Sequence, residues 1–194
     1  MSFTSRHLEE TVKIASLIDA EKVEEIIDNL LVLKKRQGRI FFVGVGGSAA
    51  NASHAVNDFR KLANIESYAP TDNIAELTAR TNDEGWSTVF VEWLRTSRMD
   101  SNDCLFVLSV GGGNRDQNVS VNICEAIEFT HNLGAFVTGI VGKRDSHLSK
   151  YSKSYLEVPI VNPNSITPHA ESFQEVIWHL MVSHPKLAVN KTKW

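Results

Sequence analysis

A glycine-rich stretch followed by two polar side chains has the residue types and spacing that could do chemistry. The segment GVGGS, residues 44–48, follows a short apolar run, and His54 and Asp58 come soon after it. Glycines at such a turn let the backbone close around an anion, and the first N–H groups of the next helix can bind it. Residues four apart share one face of a helix. Three interpretations are open: a dinucleotide cradle, a sugar-phosphate site with a metal beside it, or an ordinary strand-to-helix turn.

The dinucleotide interpretation rests on the pattern G-x-G-x-x-G/A, which Gly44, Gly46 and Ala49 satisfy. That fingerprint also needs an acidic residue about twenty positions on, at the end of the second strand. Glu66 has the spacing but comes before the strand expected near 67–69. A second glycine-rich loop, SVGGGN over 109–114, follows the next apolar run and weighs against an ordinary turn.

The elements that must position these residues alternate along the chain. Apolar residues at helical spacing predict two helices within 5–36, and later helices near 48–64, 72–79, 84–97, 119–134 and 168–183. Short β-branched and aromatic runs predict strands near 39–45, 67–69, 104–110, 135–142 and 154–161. Strands alternating with helices predict an α/β fold with a doubly wound parallel sheet. We expect a helical extension over 1–36 and one domain over 37–194.

The composition excludes several classes of protein. The chain of 194 residues is 42% hydrophobic and 22% charged, and its net charge of −3 gives no reason to expect nucleic-acid binding. No apolar run reaches membrane-spanning length, and the polar start MSFTSRHLEETVK does not have the pattern of a signal peptide. Cys104 and Cys124 are typical of buried thiols in a reducing compartment. We expect a cytoplasmic protein with no membrane partner.

Three segments resemble a known family: GVGGSAANASHAVNDF, TARTNDEGW and HAESFQEVIWHLMV. They are similar to the phosphoheptose isomerases, a branch of the SIS (sugar isomerase) domain family, and the similarity extends from about residue 5 to residue 184. The resemblance implies a five-stranded parallel sheet sandwiched by helices, and a homotetramer with sites between subunits. It also implies ketose–aldose isomerisation of sedoheptulose 7-phosphate to a glycero-manno-heptose 7-phosphate, a precursor of surface glycans.

The resemblance also assigns roles to residues of this chain. It implies that substrate binds at Gly46, Gly47, Ser48, Asn82, Asp83 and Ser109. It implies one Zn²⁺ per site, with His54, Asp58, Glu171 and His179 as ligands. The backbone N–H groups of Gly111, Gly112 and Gly113 are candidates to hold the phosphate, with Arg115 adding positive charge.

This chain departs from the family pattern at several of these positions. Asp58 stands where the family has Glu, Glu171 where it has Gln, and Val45 where it has Asn. The second glycine-rich loop has lost most of its hydroxyl groups and gained two residues. The catalytic base is therefore either Asp58 or Glu171, with His179 as acid and base on the other face of the substrate. Another sugar phosphate, or a SIS module that binds a sugar phosphate or a protein without catalysis, remains an alternative.

One further histidine has an open role. His169 comes just before the last predicted helix, where it is either a neighbour of the helix cap or a member of the site. No functional role is assigned to the remaining histidines: His7, His131, His147 and His184.

Overall fold

A five-stranded sheet organises residues 1–193, the part of the chain that the computed structural model describes. The strands lie in the order β2-β1-β3-β4-β5, and every neighbouring pair is parallel. Their bounds are β1 Ile40–Val43, β2 Ser67–Tyr68, β3 Cys104–Ser109, β4 Phe136–Val141 and β5 Leu156–Glu157. The predicted five-stranded, doubly wound α/β sheet is confirmed.

Eight α-helices surround this sheet within the described residues. They are α1 Phe3–Leu17, α2 Ala20–Lys35, α3 Gly47–Lys61, α4 Ile74–Asp83, α5 Val89–Thr96, α6 Val121–Asn132, α7 His147–Tyr151 and α8 Ile166–Ser183. Two short 3₁₀ turns, Pro70–Asp72 and Pro163–Ser165, complete the connections. The break between α1 and α2 falls where the sequence predicts it, because Asp19 caps α2 by accepting a hydrogen bond from the N–H of Lys22.

Both faces of the sheet are buried, which explains why its central strands are apolar except at Ser109 and Thr138. Phe42 and Phe106 pair across β1 and β3 and face a core shared with α1, α2, α3 and α8. Phe41 and Leu105 point to the opposite face, where α5, α6 and α7 cover a second core. The alternation of the strand side chains thus divides the helices into two layers.

The strand order places a crevice between β1 and β3. The chain moves outward from β1 to β2 and then returns past β1 to form β3. Ligands of open parallel sheets bind outside the carboxyl ends of the strands where the order reverses in this way. The glycine turn over 44–48 follows β1 and the loop over 109–114 follows β3, so both border this crevice.

Four elements differ from the sequence prediction. Helix α5 begins at Val89, five residues later than predicted, because a turn in which the N–H of Thr88 donates to the Gly85 carbonyl oxygen precedes it. Helix α7 was not predicted, because its five residues are too few to show a periodic pattern. Strand β5 has two residues instead of eight, and Pro159 follows soon after it without an N–H group for further pairing. Helix α4 extends to Asp83, so the predicted turn begins later.

Two predictions from composition are tested by the described residues. None of the helices within residues 1–193 is long and apolar enough to span a membrane. Cys104 and Cys124 are both free and buried, which confirms the prediction of buried thiols.

Candidate functional site

Helices α3 and α8 lie side by side and run in the same direction. Near their N-terminal ends, the side-chain amide of Asn51 donates to the Glu171 carbonyl oxygen at 2.9 Å and to Gln174 Oε1 at 3.0 Å. Near their C-terminal ends, Asp58 meets His179. This parallel pairing brings the polar residues after the glycine turn against the polar residues of the last helix.

His54, Asp58 and His179 converge on this seam between the helices. Asp58 Oδ2 lies 3.5 Å from His179 Nε2 and 3.9 Å from His54 Nε2, and the two imidazole rings are nearly perpendicular. The three possible ligand atoms all lie within 4.8 Å of one another. Ligands about 2.0–2.2 Å from a tetrahedral Zn²⁺ stand roughly 3.3 Å apart. The donor set and its spacing therefore fit the metal that the resemblance implies.

The cluster has a closed side and an open side. Trp178 is fully buried beneath it, with its ring centroid 4.7 Å from that of His54. The side chain of Asp58 is 14% exposed, and its Oδ1 accepts a hydrogen bond from the Asn57 amide at 2.7 Å. The imidazoles of His54 and His179 are 48% and 42% exposed. Three ligands with an open side are typical of a catalytic zinc site, whereas a structural site is closed by four.

Glu175 is a member of this site that the sequence analysis missed. Its Oε1 lies 3.4 Å from His54 Nδ1, while the other ring nitrogen of His54 faces Asp58. A carboxylate on the far nitrogen of a metal-binding imidazole fixes the orientation of the ring. The available signal was its spacing, because Glu175 precedes His179 by four residues and so shares its helical face.

Glu171 lies elsewhere than the sequence analysis expected. A Cβ atom built on Gly47 would be 2.6 Å from Glu171 Oε2, so the carboxylate rests on the first residue of α3. Gly47 precedes His54 and Asp58 by about 10 and 16 Å of helix rise. Of the four predicted ligands, the structure brings three together and places Glu171 at the glycine turn. Only glycine at position 47 leaves room for this approach.

The Glu171 carboxylate makes the first glycine turn less favourable for an anion. Gly46 is the N-cap residue of α3, and Ser48 is buried in its first turn. The N-terminus of a helix attracts negative charge. In this structure the negative charge near that terminus comes from Glu171, so a phosphate at Gly46–Ser48 would have to share the position with a carboxylate.

The second glycine-rich loop is held by the unpredicted helix α7. Gly112 and Gly113 have positive φ angles of 63° and 82°, and their carbonyl oxygens accept the N–H groups of Leu148 and His147. Ser109 Oγ accepts the N–H of Gly112 at 3.0 Å. These hydrogen bonds fix the conformation of the loop, and the hydroxyl oxygen of Ser109 is one of the acceptors within it.

Arg115, which the sequence analysis proposed as a phosphate contact, is hydrogen-bonded to two glutamates of α6. Its guanidinium donates to both carboxylate oxygens of Glu128 at 2.7 Å and to Glu125 at 2.8 Å. These hydrogen bonds raise the pKa of Arg115, and the two carboxylates exceed its charge. Arg115 therefore anchors the loop to α6 and offers no net positive charge to a substrate.

The start of α6 holds two polar residues that the sequence analysis missed. Ser120 is the N-cap residue, but its side chain makes no capping hydrogen bond. Asn122, two residues later, is fully buried and its Nδ2 has no hydrogen-bond partner. The first N–H groups of a helix also lack partners within the helix and can bind an anion. The sequence signal was the pair Ser120 and Asn122 directly after the glycine loop.

The remaining predicted substrate residues belong to other elements than α3 and α8. Asn82 and Asp83 are exposed at the end of α4, and the amide of Asn82 donates to the carboxylate of Asp83 at 2.7 Å. Gly111 lies within the second loop, where a Cβ would meet nothing within 4 Å. The dinucleotide interpretation fails its positional requirement, because Glu66 precedes β2.

Known proteins are similar to this chain in both sequence and fold. The family model described as the SIS domain matches residues 6–142. The lincomycin biosynthesis protein LmbN of Streptomyces lincolnensis is 30% identical to this chain over 76% of its length. The match covers 56% of LmbN, so this chain spans little more than half of that relative. A phosphoheptose isomerase of Helicobacter hepaticus is 27% identical over 90% of this chain and 85% of its own length.

A solved structure supports the same grouping. Phosphoheptose isomerase GmhA from Neisseria gonorrhoeae superposes with a TM-score of 0.80 at 24% identity, over 92% of this chain and 94% of that one. The likeness of the folds agrees with the sequence match, which covers most of the sheet and both glycine-rich loops. The chain belongs to the SIS domain family.

Proposed function

We propose that this chain is a ketose–aldose isomerase of a sugar phosphate. The observation that carries the proposal is the convergence of His54, Asp58 and His179 between the last helix and the helix that begins at the first glycine-rich turn. Its relatives named phosphoheptose isomerase support the same reaction class. They make sedoheptulose 7-phosphate the first substrate to test.

Moving a carbonyl group between two neighbouring carbons sets the chemical requirements. A proton leaves the carbon next to the carbonyl and returns to its neighbour through an enediol, which requires a base and support for charge on two adjacent oxygens. A zinc ion held by His54, Asp58 and His179 would polarise these oxygens. Because Asp58 Oδ2 lies between the two imidazoles, we assign the proton transfer between the carbons to Glu171.

Glu171 lies on the same helical face as the other α8 residues of the site. Glu171, Glu175 and His179 are spaced four residues apart along α8, so they share one face of the helix. The carboxylate of Glu171 rests on Gly47, about 10 Å of helix rise before His54, so the side chain must swing toward the seam to reach a substrate carbon there. The role of acid and base that the resemblance implies for His179 competes with its use as a ligand, since the same Nε2 faces Asp58.

We place the phosphate of the substrate at the start of α6. The free N–H groups of that helix and the Nδ2 of Asn122 are donors, whereas the first glycine turn already has a carboxylate beside it. A phosphate at the end of β3 and carbonyl chemistry at the seam beyond β1 would place the sugar across the crevice.

An isomerase assay with sedoheptulose 7-phosphate tests the proposal. We expect turnover by the zinc-loaded protein, loss of turnover after chelation, and loss of the zinc ion of this site in His54→Gln and His179→Gln. His131→Gln, which removes an exposed imidazole of α6, is the matched control and should retain both. If the zinc-loaded protein turns over no ketose phosphate of five to seven carbons, the chain is a binding module instead.

We also propose that the chain forms a homo-oligomer, a tetramer by resemblance. Within α1 only Ile14 is buried, while Leu8 and Val12 are 59% and 71% exposed. On α8, Val176 and Leu180 are 54% and 44% exposed beside the candidate site. A second copy would cover this apolar surface. Light scattering should give four times the mass of one chain, and a monomeric mass would contradict the proposal.

A further inference from the structure

A second cluster of metal-binding side chains joins helix α1 to the start of α8. His7 and Glu10 lie on α1, and His169 lies in the first turn of α8. One ligand atom from each of the three residues lies within 4.8 Å of the others. The cluster shares no residue with the His54, Asp58 and His179 set, and the proposed isomerase chemistry does not use it.

The spacing within this cluster matches that of ligands on one ion. Glu10 Oε2 lies 2.9 Å from His169 Nε2. Two ligands that bind a metal at about 2.0–2.2 Å and at right angles to each other stand roughly 3 Å apart. These two atoms form a hydrogen bond with each other, so they could bind a cation with little movement of either side chain once the proton between them is released to solvent.

The two groups are also held in place by their surroundings. The other oxygen of Glu10 accepts a hydrogen bond at 2.7 Å from the amide of Asn162, which also contacts Ser165 Oγ at 3.2 Å. The side chains of His169 and Glu10 are only 5% and 14% exposed. Hydrogen bonds of this kind hold metal-binding carboxylates in a fixed orientation in proteins.

His7 can become the third ligand if its imidazole ring rotates. The ring of His7 stacks on that of His169 with centroids 4.4 Å apart and planes 14° apart. An imidazole binds a metal in the plane of its ring, so His7 would turn one nitrogen toward Glu10. A cavity of about 410 Å³, lined by Phe3, Arg6, His7, Glu10 and Asn162 among others, gives it room and opens the cluster to solvent.

We propose that His7, Glu10 and His169 form a second binding site for a divalent transition metal. Two imidazoles and one carboxylate favour Zn²⁺, Co²⁺ or Ni²⁺ over Mg²⁺ and Ca²⁺, which prefer oxygen ligands. Because the ligands come from α1 and α8, the bound ion cross-links the N-terminal helix to the helix that carries Glu171 and His179. Binding of the ion therefore fixes the position of α1 relative to α8.

Zinc titration of the chelator-stripped full chain, followed by calorimetry and metal analysis, tests this site. We expect two zinc ions per chain for the unaltered protein and one for His7→Gln, with affinity at the lost site reduced more than about 100-fold. His54→Gln should also bind one ion, and the double variant none. His131→Gln, the matched control, should bind two.

Thermal unfolding supplies a readout that is independent of isomerase activity. In the His54→Gln background, zinc should raise the unfolding midpoint, because an ion that binds only the folded chain stabilises it. Adding His7→Gln should abolish that rise. The proposal is wrong if His7→Gln leaves the zinc stoichiometry and the midpoint shift unchanged. Because each site has its own variant, failure here is distinct from failure of the seam site.

Discussion

The two glycine-rich loops look alike in sequence and follow neighbouring strands, but the structure places different groups at the helix starts that follow them. The turn over 44–48 has the carboxylate of Glu171 against its helix start. The loop over 109–114 is tied to α7 through its carbonyl oxygens and leads to a helix start with an unpartnered amide, that of Asn122. A glycine-rich turn therefore does not by itself predict an anion site, because the side chain packed on it decides which charge it accepts.

The largest expected effect concerns the carboxylate at the first turn. Glu171→Gln should lower kcat about 100-fold or more and leave the zinc content unchanged, because it removes a base and no ligand. Asp58→Asn should lose the zinc ion of the seam site and the activity together. Steady-state kinetics and metal analysis of both variants separate the two roles.

Glu175→Gln, one helical turn along α8, is the matched control for this comparison. It should weaken zinc binding by about 10- to 100-fold through the orientation of His54, with a smaller effect on kcat at saturating zinc. If Glu171→Gln stays within tenfold of the unaltered kcat while Asp58→Asn keeps zinc without activity, Asp58 is the base.

The second prediction concerns the fixed backbone of the second loop. Gly112 and Gly134 both have positive φ, 63° and 70°, but only at Gly112 would a Cβ collide with Ser146, at 2.5 Å from its Cβ. Gly134→Ala should cost about 1–2 kcal/mol for the backbone alone. Gly112→Ala should cost roughly 3 kcal/mol or more, since overpacking adds to it. Urea unfolding measures both, and equal losses would contradict a loop held by α7.

The third prediction separates the two possible phosphate contacts near this loop. Asn122→Asp keeps the shape and removes the donor, so KM should rise about tenfold or more. Arg115→Gln should change KM less than about threefold, because Glu125 and Glu128 already engage the guanidinium. Its stability cost should be about 1 kcal/mol or less, as for other exposed ion pairs. A larger KM effect at Arg115 than at Asn122 would reverse our assignment.

The smallest expected effect is a pH dependence of stability at the second loop. Burial lowers the pKa of His147 below its ordinary value of 6.5, despite the nearby Glu128 carboxylate. Below pH 6.5 the unfolded chain therefore takes up this proton before the folded chain does, and stability falls as the pH drops toward the folded pKa.

His147→Gln should flatten this slope in denaturant unfolding measured between pH 7 and pH 5. His131→Gln, which removes an exposed imidazole of α6 packed on Tyr151, should keep it. An unchanged slope in His147→Gln would show that its burial is not coupled to folding.

Much of the fold followed from the sequence alone. Continuous apolar runs at 40–43 and 104–109 predict strands buried on both faces, and helical periodicity between them predicts parallel crossovers. Local patterns sufficed because each element is stabilised by a face whose burial its own residues specify. The sequence did not predict α7 or the length of β5. Both elements are too short to show a periodic pattern, and both depend on the loop and the strand beside them.

The pairing of His54 with Asp58 was also a property of the sequence, because helix geometry alone puts residues four apart on one face. Which residues of the last helix join them was decided only by the packing of α3 against α8. That packing brings His179 and Glu175 to the pair and leaves Glu171 on Gly47. The physical reason is that the relative shift of two helices along their axes depends on the side chains of both, which no local pattern contains.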